Sequence, residues 1–123
     1  KVGVENDTIS DFYLSTFARG QIVPNMTRYS DITSAMEALE NGEIMAVMGP
    51  LSQLEHDISE GMAVHTPPFP GLAKSKWTLG VAVRHNWRPL SYAIDDIIRA
   101  AIEDGRMAGI FQQHGLTFTR PDW

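Results

Sequence analysis

The segment that most constrains the fold is residues 30–49, SDITSAMEALENGEIMAVMG, because a helix pattern runs directly into a short apolar stretch. Ser30 or Asp31 is predicted to cap the helix. Its apolar face is formed by Ile32, Met36 and Leu39, and Asn41-Gly42 ends it. The following run, EIMAVMG, is typical of a strand covered on both faces. A helix joined this closely to a buried strand is the unit from which parallel α/β sheets are built.

The rest of residues 1–66 repeats this alternation. The further predicted elements are a strand over residues 1–5, a helix from Thr8 or Ser10 to about Arg19, a strand over residues 26–29, a helix in LSQLEHDISEG and a strand in MAVHTPPFPG. Strands that alternate with helices favour a parallel sheet over a β-sandwich or a helical bundle.

The composition changes after Thr66. The stretch PPFPGLAKSKW, which spans residues 67–77, contains three prolines and two lysines and is typical of a linker or hinge. Beyond it, WTLGVAVRH predicts a strand, RMAGIFQQHG a short helix and LTFTRPDW a tail. Between the predicted strand and the short helix, the stretch LSYAIDDIIRAAIEDG predicts an amphipathic helix with Ile94, Ile97, Ile98 and Ala101 facing inward.

Composition and motifs exclude several functions. The chain of 123 residues has a net charge of −5, which argues against nucleic acid or an anionic membrane as the main partner. It contains no cysteine and therefore no disulfide or thiolate chemistry. The four histidines lack the spacing of a metal site, and no G-x-S-x-G or Gly-rich phosphate loop is present. We therefore expect no catalytic residues, no bound metal and no cofactor.

Four stretches in a fixed order carry a resemblance to a known family: KVGVENDTISDFYL, SAMEALENGEIMAVMG, WTLGVAVRHNWRPL and IDDIIRAAIEDGRMAGIFQQHG. Together they resemble the second half of the bacterial family 3 periplasmic solute-binding proteins. The resemblance implies a type II periplasmic-binding fold, in which one parallel-sheet lobe is joined by a hinge to the C-terminal part of the other lobe. It also implies a periplasmic location and, as partner, the permease of an ABC transporter.

The resemblance assigns a role to each part of the chain. Residues 1–66 correspond to the second lobe, with the order βαβαβαβ, and residues 67–77 to a Pro-rich hinge. Residues 78–123 correspond to the final strand and helices of the first lobe. The N-terminal part of that lobe is expected to be absent, so the chain is interpreted as a fragment. Apolar surface left uncovered in such a fragment would favour self-association.

The first candidate site is the loop after the opening strand, formed by Asn6, Asp7, Thr8, Ile9 and Ser10. A loop that leaves the carboxyl end of a parallel strand and opens a helix presents unpaired N–H groups to a ligand. In the resembled family this turn receives the ligand carboxylate. Here Ile9 replaces a common glycine and Asp7 adds negative charge, which disfavours a carboxylate. The alternative interpretation is that Thr8 and Ser10 only cap the helix.

The second candidate site is Gly49-Pro50, after the apolar strand. Amino-acid binders of the resembled family place an acidic residue there to pair with the ligand ammonium group, whereas this chain has none. The Gly-Pro-Leu sequence and the ending IFQQHGLTFTRP are similar to a divergent branch of the family. That branch comprises periplasmic accessory proteins of quinoprotein (PQQ-dependent) methanol dehydrogenases.

The resemblance thus implies two functions. The first is a non-enzymatic binding protein that holds a small ligand in an inter-lobe cleft for an ABC transporter. The alternative is an accessory protein in methanol oxidation that acts on a periplasmic dehydrogenase through protein–protein contact. An enzyme of the same fold, such as a cyclohexadienyl dehydratase, ranks last because only Glu5 and Asp7 could supply its carboxylates. Neither nucleic acid binding nor membrane insertion is expected.

Overall fold

The computed structural model describes residues 1–122, which contain three β-strands and five α-helices. The strands are β1 (Val2–Glu5), β2 (Met26–Tyr29) and β3 (Ala46–Met48). The helices are α1 (Ile9–Thr16), α2 (Ile32–Glu40), α3 (Leu51–His56), α4 (Arg88–Glu103) and α5 (Arg106–Gln113). Trp123, the last residue of the predicted segment 78–123, lies outside the described residues.

The strands form one parallel sheet in the order β2-β1-β3. The central strand is β1, in which Val4 lies opposite Arg28 of β2 and Met48 of β3. The α/β class and the parallel sheet predicted from the alternating pattern are therefore confirmed. Because the strands are parallel, the loops that follow β1, β2 and β3 all lie at one end of the sheet, where the carboxyl ends of the strands meet.

Helices α1 and α2 lie on opposite faces of this sheet. The connection from β1 to β2 and the one from β2 to β3 run in opposite directions along the sheet, and right-handed crossovers then place their helices on opposite faces. The contacts agree with this arrangement. Arg28 of β2 bonds to Asp11 of α1, whereas Ile32 of α2 lies against Gly49 at the end of β3.

The core of the sheet region lies mainly beneath α2. Its buried apolar side chains are Ile32, Ala35, Met36, Ala38 and Ile44, whereas the fully buried Val4 lies on the opposite face of β1, toward α1. Gly3 in the middle of β1 allows this packing, because a Cβ there would lie 2.6 Å from Ile44 Cδ1 and 3.0 Å from Tyr29 Cε2. A side chain at position 3 would therefore displace the residues that cover this face.

Local signals fixed both ends of α2. Asp31 is the N-cap, and its Oδ1 accepts a hydrogen bond of 2.7 Å from the Ser34 N–H. At the other end, Gly42 has φ +74°, a conformation that glycine adopts without a Cβ penalty. The predicted cap and the predicted Asn-Gly stop are both confirmed.

Two of the predicted strands are absent from the described residues. Neither residues 62–66 nor residues 77–85 form a strand, although both have strand-like sequences. A strand needs a hydrogen-bonded neighbour, and neither segment has one here. The order of strands and α-helices along residues 1–66 is therefore βαβαβα, without the predicted fourth strand.

Three further predictions need correction. The strand in EIMAVMG is not buried on both faces, because Ala46 of β3 is exposed, Val47 and Met48 are only half-buried, and Met45 just before β3 is 85% exposed. Helix α3 ends at His56 rather than near Gly61. In α4, Ala101 is buried and Ile94 and Ile98 are half-buried, but Ile97 is 63% exposed rather than inward-facing.

Contacts divide the chain into two compact units. The first is Lys1–Pro68, which holds the sheet with α1, α2 and α3, and the second begins at Phe69. Within the second unit, α4 contacts α5 and the Phe111 and Phe118 rings lie 5.3 Å apart in an edge-to-face arrangement. The sites predicted from the sequence all belong to the first unit.

Candidate functional site

A shallow depression of about 380 Å³ opens at the carboxyl end of β1. Its walls come from the loop after β1, from the exposed side of α1 and from β2. The lining residues are Asn6, Asp7, Thr8, Asp11, Phe12, Ser15 and Arg28. The depression therefore lies at the carboxyl ends of the strands, where ligands of open α/β folds commonly bind.

The loop is shaped by hydrogen bonds to both neighbouring elements. The Asn6 N–H donates to the Tyr29 carbonyl oxygen over 2.9 Å, so the loop leaves β1 still joined to the end of β2. Asp7 adopts the left-handed conformation with φ 59°, which aspartate tolerates better than most residues. This single residue turns the chain from the strand into α1.

Thr8 is the N-cap of α1. Its Oγ1 donates to the Glu5 carbonyl oxygen over 2.7 Å and accepts from the Asp11 N–H over 3.4 Å. Of the two caps that the sequence allowed, Thr8 is confirmed and Ser10 is instead a buried residue of the first turn. Capping accounts for Thr8 without a ligand, so a binding role for this residue stays a prediction.

The strongest polar contact in the depression joins Asp11 to Arg28. Arg28 Nε donates to Oδ1 of Asp11 over 2.8 Å and to Oδ2 over 3.0 Å. Ser15 completes the group: its Oγ accepts from Arg28 Nη2 over 2.8 Å and donates to Asp11 Oδ1 over 2.9 Å. The Asp7 N–H is the third donor to Asp11, over 3.1 Å to Oδ2.

These donors determine the ionisation of Asp11, whose residue surface is only 7% exposed. Burial by itself raises the pKa of the Asp11 carboxyl, because it disfavours the charged form. Hydrogen bonds from Ser15, from the Asp7 N–H and from Arg28, together with the charge of Arg28, outweigh burial. The net result is a pKa of Asp11 below its ordinary value, so the carboxylate is charged at neutral pH.

The depression therefore already contains an anion supplied by the chain. The N–H of Asp7 and the Nε–H of Arg28, which would suit a ligand carboxylate, are bonded to Asp11, and Nη2 of Arg28 donates to Ser15. The remaining polar groups include the Asp7 carboxylate, which accepts from Asn6 Nδ2 over 3.1 Å, and the apolar wall includes Phe12, which is 74% exposed. This chemistry suits a ligand with donor groups and an apolar portion better than a simple carboxylate.

Gly49 and Pro50 also lie at the carboxyl end of the sheet, but outside the depression. They follow β3, which pairs with β1, whereas the depression opens toward β2. A Cβ at Gly49 would lie 2.8 Å from Ile32 Cδ1 and 3.4 Å from Leu54 Cδ2, so close packing explains the glycine. Pro50 is the N-cap residue of α3 and contributes no side-chain hydrogen bond.

The structure thus brings together three of the seven predicted site residues, Asn6, Asp7 and Thr8. Ile9 is exposed and Ser10 is buried, and neither lines the depression. Sequence reasoning missed the other lining residues, namely Asp11, Phe12, Ser15 and Arg28. The spacing of Asp11 and Ser15, four residues apart in α1, offered a signal, because helical residues at this spacing share a face.

No family model, curated protein or solved structure matches this chain. Within residues 1–122, no group of three or more histidine, aspartate or glutamate side chains is arranged to hold a metal ion. A search of the same residues for a helix with the length and apolarity of a membrane span found none.

Proposed function

We propose that this chain belongs to a non-enzymatic binding protein of the periplasmic solute-binding type. In this proposal, the first unit contributes one wall of a small-molecule site, and the ligand lies at the carboxyl edge of the sheet. The protein delivers that ligand to the permease of an ABC transporter. The specific type II fold and the periplasmic location form part of the same proposal and rest on the sequence resemblance.

The observation that carries the proposal is the position of the depression. It lies at the carboxyl end of the central strand, on the side of β2. Open α/β sheets bind their ligands outside the carboxyl ends of their strands. Asn6, Asp7 and Phe12 supply polar and aromatic surface at this place.

The charges of the depression favour a ligand that donates hydrogen bonds. A ligand carboxylate would compete with Asp11 for Arg28 and would face the Asp7 carboxylate. An amino or hydroxyl group, in contrast, would find acceptors on Asp7 and Asn6. We therefore expect amines and polyols to bind more tightly than dicarboxylates.

The test is a titration of the purified protein, followed by the amide chemical shifts of each residue. The probes are ethanolamine, glycerol, glycine and succinate, chosen to separate amino, hydroxyl, zwitterionic and anionic groups. We expect saturable shifts confined to residues 6–12 and Arg28, and their loss in Asp7→Asn combined with Phe12→Ala. The matched control is Asp95→Asn, which removes an exposed carboxylate from the other unit. The absence of saturable shifts with every probe would count against a small-molecule site.

A second function is favoured by one observation, the lack of an acidic side chain after β3. Gly49 is accounted for by packing against Ile32 and Pro50 has no hydrogen-bonding side chain, so a ligand ammonium group would lack a counter-charge there. We propose as the alternative an accessory protein of a PQQ-dependent methanol dehydrogenase. Exposed apolar side chains, among them Trp77, Trp87 and the 96% exposed Leu79, support contact with a protein partner.

The alternative is tested by binding of the purified protein to a purified PQQ-dependent methanol dehydrogenase, measured by sedimentation velocity. We expect a complex that Leu79→Ser weakens and Asp95→Asn leaves unchanged. Self-association, which the same apolar side chains also favour, is measured in the sample without dehydrogenase. A sedimentation profile equal to the sum of the two separate proteins would contradict the accessory role.

A further inference from the structure

A left-handed turn directly follows α1. Ala18 has φ 49° and ψ 39°, Arg19 has φ 58° and ψ 34°, and Gly20 has φ 80°. Amino acids with a Cβ visit this region as single residues rather than in succession, because the Cβ approaches the following carbonyl oxygen. Two such residues in a row are therefore a strained element.

The local sequence favours the opposite hand. Alanine and arginine are among the best formers of a right-handed helix, and the helix pattern that begins at Thr8 continues to about Arg19. A glycine then follows at position 20, where a right-handed helix ending at Arg19 would need a residue with positive φ. The sequence is thus compatible with a second conformation in which α1 is one turn longer.

Little packing holds the left-handed turn in place. None of the residues Phe17–Gly20 is buried. The contacts of the segment include hydrogen bonds from the Phe17 N–H to the Tyr13 carbonyl oxygen and, over 3.3 Å, from the Gln21 N–H to the Ala18 carbonyl oxygen, and the approach of the Tyr13 and Phe17 rings to 5.6 Å. The ring contact joins residues four apart, so an extended right-handed helix would preserve it.

We propose that Phe17–Gly20 is a two-state segment, in which the left-handed turn exchanges with a right-handed extension of α1 to Arg19. In the left-handed state, a Cβ at position 20 would lie 3.4 Å from the Ser15 carbonyl oxygen. In the right-handed state, that oxygen accepts the Arg19 N–H by the ordinary helical pattern. The exchange therefore changes the environment of the turn of α1 that carries Ser15, which bonds to Arg28 and Asp11.

Two substitutions shift this equilibrium in opposite directions. Ala18→Gly removes the Cβ penalty of the left-handed state and lowers the propensity for a right-handed helix. Each effect is worth about 1 kcal/mol, so the ratio of left- to right-handed forms rises about 30-fold. Ala18→Val has the reverse effect, because a β-branched residue is a severe outlier at positive φ. The control is Ala100→Gly in the exposed part of α4, which introduces a glycine into an ordinary helix.

The test is backbone NMR of the full chain, with relaxation dispersion and Cα chemical shifts measured over residues 15–22. We expect dispersion on the microsecond-to-millisecond scale in the unmodified protein and its disappearance in Ala18→Gly. The Cα shifts of residues 17–19 should move toward helical values in Ala18→Val, and Ala100→Gly should leave all of these signals unchanged. Flat dispersion in the unmodified protein, with shifts equal to those of either variant, would overturn the proposal, because the segment would then have a single conformation.

Discussion

Arg28 of β2 binds both carboxylate oxygens of Asp11 in α1 through one nitrogen, with Nε 2.8 Å from Oδ1 and 3.0 Å from Oδ2. The two residues are 17 positions apart in sequence, and their contact fastens the first half of α1 to the strand at the edge of the sheet. The Asp11 side chain is almost fully enclosed, whereas that of Arg28 remains partly in solvent. The pair therefore combines the strength of a charge-assisted bond with a modest desolvation cost for the guanidinium.

Replacement of Asp11 by asparagine should lower the free energy of unfolding by about 1–3 kcal/mol, because the substitution weakens hydrogen bonds from Arg28, from Ser15 and from the Asp7 N–H. The measurement is urea denaturation followed by circular dichroism. The matched control is Asp95→Asn, which breaks an ion pair of the same length with Arg99 in which both side chains are about half exposed. An effect of Asp11→Asn no larger than that of the control would contradict the structural role of the pair.

The same carboxylate should make stability depend on pH. The pKa of Asp11 in the folded chain lies below its ordinary value of 3.8, so the folded state binds this proton less readily than the unfolded state does. Its contribution is then fully present well above pH 3.8 and is lost as the pH falls through the lowered pKa of the folded state. We expect the difference in unfolding free energy between the unmodified protein and Asp11→Asn to be constant near neutrality and to shrink in acid. A difference that stayed constant down to the lowest pH at which both proteins fold would contradict the lowered pKa.

Gly49→Ala should destabilise the protein by about 1–3 kcal/mol, because the new Cβ would lie 2.8 Å from Ile32 Cδ1. Ile32→Val removes that methyl group and by itself costs about 0.5–1.5 kcal/mol. Combining the two should cost less than the sum of the single changes, since each relieves the clash or the gap left by the other. Thermal unfolding of the four proteins measures this coupling, and strict additivity would show that the contact with Ile32 does not explain the glycine.

Gly109→Ala in α5 should stabilise the chain by about 0.5–1 kcal/mol. No atom lies within 4 Å of a Cβ placed at this position, so the substitution gains helix propensity without a clash. The change should appear as a higher free energy of unfolding for the transition that includes α4 and α5. Gly105→Ala, at the left-handed residue just before α5, is the matched control and should destabilise. Loss of stability in Gly109→Ala would indicate that another part of the protein packs closely on this face of α5.

The sequence by itself determined those features whose physical causes lie within about four residues. The Asp31 cap and the stop at Asn41-Gly42 depend on side chains and backbone preferences of α2 alone, and both were predicted correctly. The strand at Met26–Tyr29 was also predicted, at the residues where the structure has it. The Thr8 cap and the loop of Asn6 and Asp7 at the edge of the sheet followed from the strand–loop–helix pattern in the same way.

Tertiary structure decided the features that depend on which segments meet. The bond between Asp11 and Arg28 requires α1 and β2 to lie side by side, and no local pattern specifies that contact. The packing role of Gly49 depends on Ile32 of α2, which the sequence around Gly49 does not specify. Residues 77–85 have the composition of a strand, yet they form none among the described residues, because a strand exists only through hydrogen bonds to a neighbour.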